Sequence, residues 1–252
     1  MVKKIFKLLK SPRNTITYVK ELWRVKKFLG ISAPALFSYI AKITANRNFH
    51  KYLEKKIADA KKICPDSKLG GWIDIVDCYI IYIAIRKTRP KIVLETGLAG
   101  GGSSAFILQA LEDNGGGKLY SIDLPGNDAV VYPKIGKNFN IHVPEGWQPG
   151  WLIPSWLQKR HEKIFGNSLN ELPKLLKRIG KIDAFLHDSL HTDEHVTMEF
   201  SEVFEYLNKG SVLFCDDVNE EWSTAFEKFC QNKKIPYTIF NNRVGIGLFK
   251  TL

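Results

Sequence analysis

Two hydrophobic rhythms divide the chain. Up to about residue 90, apolar positions recur every three or four residues; beyond it, short apolar runs alternate with such stretches. Val2, Ile5, Leu8 and Leu9 share one helical face, and Val19, Leu22, Trp23 and Leu29 share another. Residues 2–29 therefore predict basic amphipathic helices, with Ser11 as an N-cap and Pro12 in the first helical position of the second. Phe49, Tyr52, Leu53, Ile57, Ala60 and Ile63 predict a helix over 49–63. Cys64-Pro65-Asp66 and Gly70-Gly71 break the chain, and a more buried helix over 72–87 ends at Arg89-Pro90. Four apolar runs then follow, at 91–95, 118–122, 182–187 and 210–215, with helical patterns at 104–111, 169–179 and 194–207. This alternation predicts an α/β fold, a doubly wound, mostly parallel sheet with helices on both faces. Residues 236–240 and 244–249 flank Asn241-Asn242-Arg243 and read as a closing hairpin. There is no internal repeat.

The stretch 126–157 fits no regular element. It carries Trp147, Trp151 and Trp156 with Pro149 and Pro154 nearby. A loop of that length in a compact domain is usually functional or disordered, and its tryptophans argue against disorder. It reads as a lid or substrate wall; the alternative is an insertion whose aromatics cover a sheet edge.

Composition narrows the class. The 252 residues are 44% hydrophobic and 25% charged, which excludes a disordered or collagen-like chain. Cys64, Cys78, Cys215 and Cys230 are widely spaced with no CxxC, which fits a reducing, cytoplasmic compartment better than a disulfide framework or a cysteine zinc site. The formal net charge of +11 resides in residues 1–60, which hold 14 Lys and Arg against Glu21, Glu54 and Asp59. Residues 61–252 are neutral overall, so a nucleic-acid groove through the main body has little compositional support. The uncharged run 28–41 is 14 residues long and contains Pro34, whereas a membrane span needs about 20 apolar residues. Lys7, Lys10 and Arg13 interrupt any apolar core of a signal peptide, so secretion is not expected. The basic helices of 2–29 fit either peripheral contact with an anionic membrane surface or packing against the chain's own domain or a second subunit.

The candidate chemistry lies at the ends of the apolar runs. Glu95-Thr96-Gly97-Leu98-Ala99-Gly100-Gly101-Gly102-Ser103-Ser104 joins a predicted strand to a predicted helix. Glycines there allow a close backbone approach, and the helix N-terminus offers free N–H groups. Asp123 ends the next strand, where a carboxylate can accept ribose hydroxyls. A phosphate loop GxxxxGK[ST] is absent, and GxGxxG from Gly97 fails at Ala99; a looser form from Gly100 to Ala105 leaves a nicotinamide-dependent oxidoreductase as an alternative. His187-Asp188-Ser189-Leu190-His191 ends one later run and Cys215-Asp216-Asp217 the next, so the three acids are expected to converge on one sheet edge. Such a set calls for a hard divalent cation. His187, His191 and His195 recur every four residues, but HExxH is absent, and His187 reads as a hydrogen-bonded wall or core residue. Asp217 could instead cap a helix, and Glu95 could bond loop amides. His50, His142 and His161 carry no motif and read as surface groups.

The spaced glycines after Glu95 resemble motif I of class I S-adenosylmethionine-dependent methyltransferases. The acids resemble those of metal-dependent O-methyltransferases of the catechol and macrocin type. Trp151 onward through IDAFLHDSLHTDEH resembles the methyltransferase 24 family, over about residues 72–250. Asp193 departs from it, standing where this branch often has an aromatic residue. The resemblance implies a seven-stranded Rossmann-like domain over 71–252 behind a basic helical extension over 1–70. It implies a methyl donor, S-adenosylmethionine, held by Glu95, Thr96, Gly97, Gly101, Ser103 and Asp123, with Ser168 and Leu169 against the adenine. It further implies Mg2+ or another divalent cation on Asp188, Asp216 and Asp217, His191 as the base, and a small-molecule hydroxyl as acceptor. The remaining alternatives are a metal-free N- or RNA-methyltransferase and a non-enzymatic protein that binds a membrane surface or a partner.

Overall fold

The computed structural model describes residues 12–64, 74–125, 129–132, 137–140, 143–144, 146–219, 222–240 and 244–249. The helix expected over 2–10, Ser11 and His142 lie outside them.

Four helices lead into the sheet: α1 (Pro12–Phe28), α2 (Ala33–Ala45), α3 (Arg47–Ile63) and α4 (Ile75–Thr88). Helix α2 was not expected. Pro34 stands in the first turn, where no N–H is needed, behind an N-cap Ser32 that accepts from the Ala35 amide at 3.4 Å. Asn46 and Asp74 cap α3 and α4 in the same way, at 3.1 Å and 2.8 Å. Residues Asp77–Ile85 of α4 are all buried, so this helix needs cover on every side. It packs on α5 (Gly102–Asp113) and β7 (Leu207–Cys215), and α1 and α2 close over it. Leu22, Val25, Leu29, Leu36, Ile43, Phe49 and Leu53 thereby join the core of that sheet face, where Phe49 and Phe106 meet edge to face at 5.1 Å. A buried phenylalanine of this kind contributes about 2 kcal/mol by removal from water.

The inner face of α1 differs from the sequence expectation. Leu22 and Leu29 turn inward with Val25, but Val19 and Trp23 face outward. Arg24 ties the helix to the sheet, donating to the Ile239 carbonyl at 2.7 Å while its charge is met by Glu21 at 2.8 Å.

The remaining elements are β1 (Ile92–Thr96), β2 (Lys118–Asp123), β3 (Ala129–Tyr132), β4 (Lys137–Asn140), β5 (His161–Phe165), α6 (Ser168–Ile179), β6 (Ile182–His187), α7 (Asp193–Phe204), α8 (Ala225–Asn232), β8 (Tyr237–Phe240) and β9 (Val244–Leu248). The main sheet runs β5-β2-β1-β6-β7-β9-β8, parallel except for β9, which pairs antiparallel with β7 and β8. This is the doubly wound seven-stranded sheet and closing hairpin that the sequence predicts. Helices α6, α7 and α8 cover the second face through Leu172, Leu176, Phe200, Val203 and Phe226.

The stretch 126–157 is more regular than expected. It contains the antiparallel pair β3–β4, and a 3-10 turn over Ser155–Arg160 leads into β5. Its runs are four residues long and set among Pro, Gly and Asn, too short to show a period.

Candidate active site

Parallel register builds one row of chemistry at the carboxyl edge. Thr96 of β1 stands opposite Ile122 of β2 and His187 of β6, and His187 stands opposite Cys215 of β7. The next residue on each strand is therefore Asp123, Gly97, Asp188 and Asp216, side by side. The chain leaves β1 toward β2 on one side and returns through β6 on the other, so the row lies at the topological switch point.

Gly97 is held in the row by its neighbours. It has φ +87°, and a Cβ there would sit 1.9 Å from the Asp188 carbonyl oxygen. Gly101, at φ +80°, faces Gly150 Cα and Ile153 Cγ1, each 2.9 Å from where its Cβ would be. The Gly150 amide donates to Ala99 O at 2.8 Å and the Leu152 amide to Gly100 O at 2.9 Å. The tryptophan-bearing segment is thus stitched to the glycine loop. Trp151 is buried and meets Trp147 at 5.1 Å; Trp156 is partly exposed against Tyr52 of α3.

Glu95 is fully buried and accepts from the hydroxyls of Ser103 (3.0 Å), Ser104 (2.7 Å) and Ser121 (2.7 Å). Its carboxyl bonds serine hydroxyls and not loop amides. Burial outweighs those bonds and pushes its pKa up to about 7. His161, half-buried beside Ser121 at 2.8 Å, is pushed down to about 4 by burial. His50 is buried with Nε2 on the Ile43 carbonyl at 2.9 Å. Both histidines correct the surface expectation: His50 is buried against the end of the preceding helix, and His161 is half-buried beside Ser121 of the neighbouring strand.

The Glu95 shift sets a sign for pH. The folded chain holds this proton more tightly than an unfolded chain would, so the stability contributed here is complete below about pH 4.5 and falls as pH rises through about 7. Removing the titration with Glu95→Gln should make the wild type lose about 3 kcal/mol relative to the variant between those pH values. Thermal melts of both proteins across that range check it; parallel curves would refute it.

Asp123 also turns toward the loop. Oδ2 accepts from the amides of Ala99 (2.7 Å) and Leu98 (3.1 Å), and Oδ1 from Leu124 (2.8 Å). Burial raises its pKa despite those bonds. A carboxylate has about four acceptor sites, so roughly one remains for a ligand hydroxyl.

The acids at the ends of β6 and β7 lie close to His191. Asp188 shares a hydrogen bond with Asp216, and burial, then Asp216 and Asp217, hold its carboxyl well above the usual range. His191 Nε2 faces Asp188 Oδ1 at 3.8 Å and Asp217 Oδ2 at 3.9 Å. Asp217 has φ +52° and caps no helix; its carbonyl accepts the Asn219 amide at 3.1 Å. Among the described residues, no three Asp, Glu, His or Cys side chains already form a metal-binding group. Trp222 stands edge-on to His191, ring centres 6.0 Å apart.

Behind this loop lies a group that the motifs do not reveal. Glu199 of α7 is fully buried and accepts from Thr96 Oγ1 (2.5 Å), His187 Nδ1 (2.7 Å), His195 Nε2 (2.8 Å) and Ser189 Oγ (3.0 Å). Burial raises its carboxyl, but His187 and His195 together outweigh that and hold it below the usual range. His195 Nε2 also lies 3.1 Å from Ser168 Oγ, so the network reaches the turn expected at the adenine. The available signals were a His195–Glu199 pair one helical turn apart and a glutamate on the apolar face of Val196, Phe200 and Val203. Asp193, the departure from the family pattern, accepts from Ser223 Oγ (2.7 Å) and the Thr224 amide (3.2 Å) and ties α7 to α8.

Residues 94–218 match the family model Methyltransf_24, described as a methyltransferase domain. No curated protein matches the chain. An O-methyltransferase from Bacillus cereus, solved with S-adenosylhomocysteine, is 11% identical, with 89% of this chain and 100% of that one aligned at TM-score 0.55. The O-methyltransferase TomG from Streptomyces achromogenes, solved with S-adenosylmethionine, is 16% identical over 79% of this chain and 89% of its own, TM-score 0.55. A methyltransferase from Geobacter sulfurreducens is 15% identical over 78% and 89%, TM-score 0.56. Sheet order and switch point are those of the class I methyltransferase fold, and the match over residues 94–218 marks a methyltransferase domain. Over residues 94–218 the chain is similar to the Methyltransf_24 family.

Proposed function

We propose that the protein transfers a methyl group from S-adenosylmethionine to a hydroxyl oxygen of a small molecule, assisted by a divalent cation. The observation that carries this reading is the convergence of Asp188, Asp216, Asp217 and His191 beside Gly97 and Asp123. The donor set is hard and anionic, and burial together with Asp216 and Asp217 disfavours the charged form of Asp188; a Mg2+-like ion suits such oxygens and would relieve that repulsion.

S-adenosylmethionine supplies a methyl group already activated on sulfur. Asp123 and the Gly97–Ser103 loop would hold its ribose and methionine end, with Thr96 and Glu95 fixing the loop from beneath, and Ser168 and Leu169 would flank the adenine. A divalent cation on Asp188, Asp216 and Asp217 would acidify the acceptor hydroxyl. His191 Nε2 would take the proton of the acceptor hydroxyl as that oxygen receives the methyl group. Alignment supplies the rest, since the donor needs no further activation. Trp222 beside His191, and Trp147 with Trp151 against the glycine loop, favour an acceptor with a sugar, phenol or polyketide ring.

The test is methyl transfer from labelled S-adenosylmethionine to a panel of phenols, sugars and polyketides, before and after chelation. At least a tenfold loss on chelation, restored by Mg2+, is expected. Undiminished transfer after chelation would sink the metal role, and tighter binding of NADH than of S-adenosylmethionine would sink the reaction.

A further inference from the structure

Helix α1 carries two apolar stripes, and the fold uses only one. Leu22, Val25 and Leu29 are consumed by the core. Val19 and Trp23, one helical turn apart on the neighbouring stripe, are 43% and 51% exposed. Lys20 and Lys27 flank them in the open, and Lys26 reaches over the Trp23 ring at 4.9 Å. Beyond the Gly30–Ser32 turn, α2 likewise leaves Phe37 64% exposed. No acidic residue occurs from Leu22 to Leu53, while Arg24, Lys26, Lys27, Lys42, Arg47 and Lys51 fall within it.

We propose that the outer face of α1, with Phe37 of α2, docks the protein on an anionic lipid surface. Charge complementarity selects this occupant. A second copy would bring lysine against lysine with no acid to answer them. A phosphate polymer would meet the lysines but leave Val19 and Phe37 in water. A membrane interface takes both, because a tryptophan ring sits at headgroup depth while lysines extend to lipid phosphates beside it. The helix would lie on the bilayer and not cross it, since among the described residues no helix is long and apolar enough to span. Such docking would hold the methyltransferase domain at a surface where acceptors partition.

The experiment is co-sedimentation of the full chain with phosphatidylcholine vesicles with and without phosphatidylglycerol. Binding to the anionic vesicles alone is expected, and it should weaken with added salt. Replacing Lys20, Lys26 and Lys27 together by Gln should weaken it about a hundredfold, at roughly fivefold per charge. Val19→Ser with Trp23→Ser should weaken it at least tenfold. Both variants alter positions outside the core and should melt with the wild type, which separates docking from folding. Equal binding to neutral vesicles, no binding of the wild type, or undiminished binding of either variant would overturn the proposal. Retention on single-stranded RNA, lost in the lysine variant and without vesicle binding, would overturn it in favour of nucleic acid.

Discussion

Replacing Glu199 by Ala is expected to lower stability by about 4 kcal/mol, the cost of removing one partner from a buried charged network. The glutamate is fully enclosed and is the common acceptor for Thr96, His187, Ser189 and His195. Alanine would leave the buried Thr96 and His187 donors, and the half-buried Ser189 and His195, without that carboxylate, and each buried donor costs about 1–3 kcal/mol before relaxation. In a chain of this size the melting temperature should fall by roughly 10 °C. Function should suffer beyond the stability loss, because these donors bracket the site. Thr96 ends β1, and His187 and Ser189 flank Asp188. His195 connects to Ser168 on the nucleoside side. Glu199→Gln keeps the length and one acceptor, so it should be the milder change. Melting curves and S-adenosylmethionine titrations of wild type, Glu199→Gln and Glu199→Ala check the order. An alanine variant that melts within a degree or two of the wild type would remove the carboxylate from its central place.

How much of this was readable beforehand depended on how local each signal was. The row of Asp123, Asp188, Asp216 and Asp217 was legible because each acid follows an apolar run, and parallel strands carry their ends to one edge. Strand β5 was not recognised as a separate run, because His161–Phe165 is an edge strand with every side chain at least partly exposed, so no apolar run marks it. Helix α2 hid behind Pro34, whose effect depends on its place in the turn. Val19 and Trp23 were assigned to the inner stripe because spacing cannot say which of two apolar stripes meets the core. Glu199 was invisible for a different reason. Its four donors come from β1, β6, the following loop and α7, and only the His195 spacing is local. The glycines were read as making room for a ligand, yet Gly97 and Gly101 first make room for Asp188 and for the 150–153 segment.

Gly97 is therefore where the smallest change should do the largest damage. A methyl group at this position would lie 1.9 Å from the Asp188 oxygen, 2.4 Å from its carbonyl carbon and 2.9 Å from the Ser189 nitrogen, all backbone atoms. No rotamer can relieve that contact, so β1 and β6 would have to part where the Asp188 amide donates to Thr96 O at 2.8 Å. Gly97→Ala combines the left-handed strain of about 1–2 kcal/mol with an overpacking cost of about 3 kcal/mol or more. Gly115 supplies the control: its φ is +78°, and nothing lies within 4 Å of where its Cβ would stand. Gly115→Ala should carry the backbone strain alone, with a melting point a few degrees below the wild type. Gly97→Ala should lose at least twice as much and, in whatever folds, lose S-adenosylmethionine binding, because Asp188 and Asp123 flank the displaced turn. Equal losses in the two variants would mean that backbone conformation alone demands this glycine, and that the close approach of β1 to the Asp188 loop does not hold the site together.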